Sequence, residues 1–197
     1  MTKNGWFQLY GYEGNCMKYK FLILSLLAVS SFSALASDGD ITFTGLVTAS
    51  ACTLNGFNAG TTTSGATMTL PSVTPASFSS TGGYAGMTDF TIDLKECDIT
   101  TQKNAQVTFS GSPDTVDNEI LKNGSSTNPA TGVGVALLEN DGATLVDING
   151  GTPSKQQALS TGNTTLHFKV AYKANTSTPA VTAGNVSAKT FVDIMYN

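Results

Sequence analysis

From residue 40 onward, apolar and polar residues alternate in short runs instead of recurring every three or four positions. Asp40–Thr48 reads D-I-T-F-T-G-L-V-T, which puts Ile41, Phe43, Gly45 and Val47 on one face and Thr42, Thr44, Leu46 and Thr48 on the other. A period of two marks an extended strand with one buried face. Phe90, Ile92 and Leu94 alternate with Thr91, Asp93 and Lys95 ahead of Cys97, and Val107 and Phe109 alternate within Gln106–Ser110. Leu166, Phe168, Val170 and Tyr172 share a face of Thr165–Tyr172, as Val192, Ile194 and Tyr196 do in Thr190–Tyr196. Val133–Leu138 is more continuously apolar, and Asn140-Asp141-Gly142 supplies a turn into Ala143–Ile148, so the pair predicts a hairpin. Met68–Leu70 predicts a short strand stopped by Pro71. Asn55–Thr69, Pro71–Gly86 and Asn175–Gly184 read mostly as connections, because Gly, Pro, Ser, Thr and Asn dominate them. Short strands at this spacing predict an all-β sandwich of the immunoglobulin type.

Charge acts mainly by exclusion. Charged residues make up 12% and hydrophobic residues 40% of the 197, which fits neither a disordered chain nor a multi-span membrane protein. The net charge is −4 and all ten basic residues are lysines, so the patch that a nucleic-acid partner would require is missing.

The N-terminal region reads as an export signal. Lys18 and Lys20 form a positive start, Phe21–Val29 an apolar run, and Ala34-Leu35-Ala36 a small-x-small cleavage site. The run is too short to cross a bilayer. Met17 stands directly before the positive start, so residues 1–16 read as an upstream extension; the alternative is a long positive region, for which Glu13 is unusual. The mature chain is expected to begin at Ser37. Losing Cys16 with the leader leaves Cys52 and Cys97, an even pair in an oxidising compartment, which predicts a disulfide. Closing a loop of roughly 45 residues contributes about 4 kcal/mol in the chain-entropy model.

Catalytic chemistry finds little footing. His167 is the single histidine and falls on the polar side of its strand, and no G-x-S-x-G stands anywhere in the chain. Asp93, Glu96 and Asp98 cluster near Cys97, where carboxylates at a strand end are ordinarily solvated. Asn163-Thr-Thr and Asn175-Thr-Ser match a glycosylation triplet that arises readily in Thr- and Asn-rich loops. The expectation is a non-enzyme without cofactor or metal.

Four stretches together resemble the type 1 fimbrial pilins of the chaperone–usher pathway, across essentially all of the mature chain. They are I-T-F-T-G-L-V-T-A-S-A-C at 41–52, F-T-I-D-L-K-E-C-D at 90–98, G-V-G-V-A-L-L-E-N-D-G at 132–142, and a C-terminal signature of Gly184 with penultimate Tyr196. The resemblance implies an incomplete immunoglobulin-like fold that lacks its last strand. It divides the chain into a leader (1–36), a donor-strand extension (37–48) and a pilin domain (49–197). Ile41, Phe43, Gly45 and Val47 would enter a neighbour's groove, and Gly184, Val192, Ile194 and Tyr196 would edge the groove that a periplasmic chaperone fills first. An outer-membrane usher would then exchange that chaperone for the next subunit, with the Asn197 carboxylate anchored on the chaperone meanwhile. The expected partners are identical or related pilins, chaperone and usher, with a host glycan receptor left open, and the expected location is an extracellular fimbria. The alternatives are a minor adaptor or tip-proximal pilin that contributes to receptor binding, and a secreted sandwich enzyme.

Overall fold

The alternating runs become seven strands in the computed structural model, which describes residue 44 and residues 51–58, 65–78, 82–175 and 181–197. The strands are β1 (Thr53–Phe57), β2 (Tyr84–Cys97), β3 (Asn104–Gly111), β4 (Val133–Glu139), β5 (Gln157–Ala158), β6 (Gly162–Ala174) and β7 (Thr190–Tyr196), with one 3-10 turn at Pro75–Ser77. The chain separates into two compact units, Met1–Gly45 and Leu46–Asn197, and the strands all belong to the second. One sheet runs β1-β2-β6-β4 and the other β5-β3-β7, with every ladder antiparallel. The all-β expectation therefore holds, as an incomplete immunoglobulin-like sandwich.

The core forms where the period-two faces of the two sheets meet. Ile92 and Leu94 of β2, Leu166 and Phe168 of β6, and Val107 and Phe109 of β3 are all buried there. Phe109 meets Phe168 edge-on, with ring centroids 5.2 Å apart, the geometry that aromatic quadrupoles favour. Each such side chain contributes about 1.5–3 kcal/mol by leaving water.

Several local expectations change. Thr53–Phe57 is a strand, although Asn55 and Gly56 read as a connection; a register shift between Leu54 and Gly56 lets the ladder absorb them. β2 starts at Tyr84, earlier than its alternation suggests, and crosses a bulge that includes Gly86 at φ 63°, a conformation open to glycine. Met68–Leu70 is not a strand, yet Met68 and Leu70 still pack on the core. Ala143–Ile148 turns back along β4 but touches it through one isolated bridge, Leu138↔Leu145, because an Asx turn on Asp141 and a bend occupy the residues a ladder would need. The Ile41, Phe43, Gly45 and Val47 strand lies outside the described residues.

Candidate functional site

Neither edge strand of a sandwich is safe by itself, since each leaves N–H and C=O groups unpaired. This chain treats its edges unequally. β4, outermost in its sheet, is sealed by its own chain. Leu121 and Val135 exchange backbone bonds of 2.8 and 2.9 Å, Glu139 N–H donates to the Thr144 carbonyl (2.9 Å), and the Val146 N–H donates to the Leu137 carbonyl (3.0 Å). Every residue of β4 is buried, because a second small core of Ile120, Ala136, Leu138 and Ala171 covers its outer face. Gly134 permits this: a Cβ there would lie 2.6 Å from the Leu121 carbonyl oxygen. The covering segment is fastened by Lys173 Nζ, largely buried, at 2.7 Å from Asp117 Oδ2.

The outer side of β3 is sealed likewise by residues 148–158. Gly111 N–H donates to the Ile148 carbonyl, Gly150 N–H to the Phe109 carbonyl and Ser154 N–H to the Val107 carbonyl, at 2.8–3.0 Å, and β5 completes the row. Asp147 shapes this segment by accepting N–H bonds from Asn149, Gly151 and Thr152.

β7 differs. Among the described residues it pairs only with β3, from Ala105↔Tyr196 to Gly111↔Thr190, and no other described strand flanks it. Its burial alternates: Val192, Ile194 and Tyr196 are half-buried against the core, whereas Phe191, Asp193 and Met195 are exposed. The far end is pinned, because the Asn197 carbonyl oxygen accepts N–H bonds from Lys103 and Asn104, each 2.8 Å. Across the sandwich, β1 is the outermost strand of the other sheet, and Leu54 and Phe57 reach the same core. The Tyr196 hydroxyl donates to the Cys52 carbonyl at 3.4 Å, tying the two edges at one end, and burial pushes its phenol above the ordinary tyrosine range. Cys52 and Cys97 form a disulfide with Cα atoms 4.1 Å apart, which fastens the chain entering β1 to the end of β2.

The structure thus brings Val192, Ile194, Tyr196 and the disulfide to one side of the molecule. At Gly184 the chain runs so close to residues 128–130 that a Cβ would fall 2.4 Å from the Ala130 nitrogen. Asn185 continues that contact, with its N–H donating to the Asn128 carbonyl at 2.8 Å. His167 is exposed, and its backbone is held by the Gln157 amide, which extends the β6 ladder past the end of β4. Asp93 accepts from the Thr165 hydroxyl, and Asp98 accepts from the Thr100 N–H, which draws the Asp98 carboxyl below its usual range. No metal-holding group of acids, histidines or cysteines occurs among the described residues. Sequence reading placed Ala143–Ile148 beside β4 as a hairpin partner but missed the seals at Ile120–Leu121 and 148–158; the one signal for the former was Ile120-Leu121 inside an otherwise polar stretch.

Comparison with known proteins fits this geometry. A family model described as "Fimbrial protein" matches residues 41–197. The chain is 39% identical over 161 residues to the laminin-binding fimbrial subunit ElfA of Escherichia coli O157:H7, covering 81% of this chain and 84% of that one. It is 34% identical to the type-1 fimbrial protein A chain of Salmonella typhi, covering 87% and 95%. The minor fimbrial subunit HifD of Haemophilus influenzae is 32% identical, with 88% and 82% covered. Among solved structures, the P pilus rod subunit PapA superposes with a TM-score of 0.59 at 18% identity, over 75% of this chain and all of that one, a likeness of fold.

Proposed function

Given that this chain belongs to the fimbrial protein family and is a structural pilin subunit, we propose that it polymerises by donor-strand exchange. The observation that carries this reading is the β7 edge, which has no second partner among the described residues, on a sandwich whose margins at β4 and β3 are covered by the chain itself. An extended segment laid along β7 would gain main-chain bonds from its edge and apolar contacts from Val192, Ile194 and Tyr196. The segment with the matching period is 40–48. Ile41, Phe43 and Val47 would each contribute about 1.5–3 kcal/mol on full burial. Gly45 suits the point where two backbones come closest. In this reading residues 1–36 are removed on export, 37–48 form the extension and 49–197 the acceptor domain.

An exposed apolar edge invites aggregation before assembly. A periplasmic chaperone that occupies β7 until an outer-membrane usher hands the subunit on would meet that hazard, and passage through an oxidising compartment accords with the Cys52–Cys97 disulfide. The surface fimbria is the end point. A second reading, receptor contact by the assembled fibre, is favoured by the 39% identity to a subunit named as laminin-binding. Binding of purified fibres to immobilised laminin tests it.

The exchange itself is tested with residues 49–197 melted alone and with a synthetic peptide of residues 38–48. The native peptide is expected to raise the melting temperature substantially, and a Gly45→Arg peptide is expected not to. A cooperative melt of 49–197 that no peptide shifts would mean that the sandwich is already complete.

A further inference from the structure

We infer that the outward face of β7, carrying Phe191 and Met195, is a lateral contact between copies of this chain within one fibre. The inference rests on the strand-exchange reading and adds to it a second kind of subunit contact.

Among the described residues the exposed large hydrophobics are Met87, Val116, Phe191 and Met195, so two of the four stand on this one strand. Phe191 is 62% exposed and Met195 45%, four residues apart on the same face and therefore roughly 13 Å from each other. The pairing partners on that face, Ser110 and Gln106 of β3, are short or polar and leave both side chains standing clear. Lys189 Nζ lies 5.0 Å from the Phe191 ring centroid, which leaves a cation beside the apolar stripe and Asp193 between its two ends. Solvent-facing strand positions in an antiparallel sheet are ordinarily polar, so the stripe calls for an occupant.

A second copy is the occupant that continuity favours. The inner face and free edge of β7 are where the neighbouring subunit's extension is proposed to lie, so the outer face of the same strand borders that junction. Two side chains are too small a patch to hold a dimer in dilute solution. In a fibre the copies are tethered, effective concentration is high, and a weak patch is then enough to select a packing. Such a contact is heterologous, patch against a different surface, as an open helical array requires. The opposite face of the sandwich offers Met87, 43% exposed, next to the Asp89–Lys169 ion pair of β2 and β6.

The test uses the full chain assembled into fibres on cells. A photo-crosslinking benzoylphenylalanine replaces Phe191, and a separate variant combines Phe191→Ser with Met195→Ser. The expected crosslink joins residue 191 to another copy of this chain in assembled fibres. The double variant is expected to keep its polymer ladder on unheated gels yet lose the wild-type fibre width in electron micrographs. An intact ladder with unchanged width, and no crosslink between copies, overturns the inference while sparing strand exchange. A crosslink to a chaperone alone overturns it too. Loss of the ladder itself in wild type as well as variant would instead sink strand exchange, and this inference with it.

Discussion

β4 and β7 are both outermost strands with apolar inward faces, yet their surroundings differ. Every residue of β4 is buried, and its free side is bonded to Leu121, Thr144 and Val146 of the same chain. β7 alternates half-buried and exposed residues and has β3 as its one partner among the described residues. The chain spends a whole segment, with its own small core of Ile120, Ala136, Leu138 and Ala171, on closing one margin. A fold able to seal an edge that thoroughly has the means to seal another. An edge without a second partner among the described residues, in such company, is what the proposed strand exchange rests on, more than on any single residue.

The largest expected effect comes from the bond that holds the open side together. Cys52→Ser with Cys97→Ser frees a 45-residue separation and should cost about 4 kcal/mol, read from urea unfolding of the subunit under oxidising conditions. Next, truncation should separate the two edges. Leu138→Ala, inside the sealed margin at 0% exposure, should lower subunit stability by about 2–5 kcal/mol. Ile194→Ala, half-buried on the open one, should lower it by about 1 kcal/mol in the uncomplexed subunit but cost more once a peptide of residues 38–48 is bound. Equal losses in both states would erase the distinction. Gly134→Ala drives a methyl against the Leu121 carbonyl and should destabilise by about 1–3 kcal/mol, with faster hydrogen exchange at Val135 and Leu121 reporting that the seal has loosened.

The smallest effect concerns acid. N–H donors from Asn149 and Thr152 hold the Asp147 carboxyl below its usual range. A depressed folded pKa favours folding when the group is ionised. Its contribution is therefore whole above the ordinary aspartate value near about 3.9, and is lost as pH falls through the depressed one. Asp147→Asn should flatten that part of the acid limb and leave the slope above pH 5 unchanged, as followed by urea midpoints from neutral pH downward.

Much of this was legible in the residues. The period of two in 90–94, 166–172 and 192–196 marks faces that the structure turns toward the core, because burial on one side of a pleated strand leaves no other pattern. The pairing of Cys52 with Cys97 followed from export and counting. β1 was hidden, since Asn55 and Gly56 carry turn chemistry that a bulge accommodates at no visible cost to the pattern. The sealing of β4 was hidden for another reason: D-N-E-I-L-K looks like a solvated loop until Ile120 finds Ala136 and Leu138, a contact set by tertiary packing. Gly184 was read as part of a recognition surface, and its immediate surroundings are the backbone of residues 128–130. For β7, sequence supplied the inward residues, but only the sheet order shows that among the described residues β3 is their one flanking strand.

One consequence of the proposed strand exchange belongs to polymer chemistry. Under that exchange the subunit would offer one acceptor edge and one donor strand, and so would be a monomer of functionality two, with unlike ends. Its chains would grow linearly, in one direction and without branching, whatever the concentration. In that scheme the sealed β4 margin would supply this control, for a second acceptor would raise the functionality to three and convert thread into gel. A copy shortened ahead of Cys52 would still accept but could not donate, and so would act as a chain stopper whose molar ratio sets the mean length.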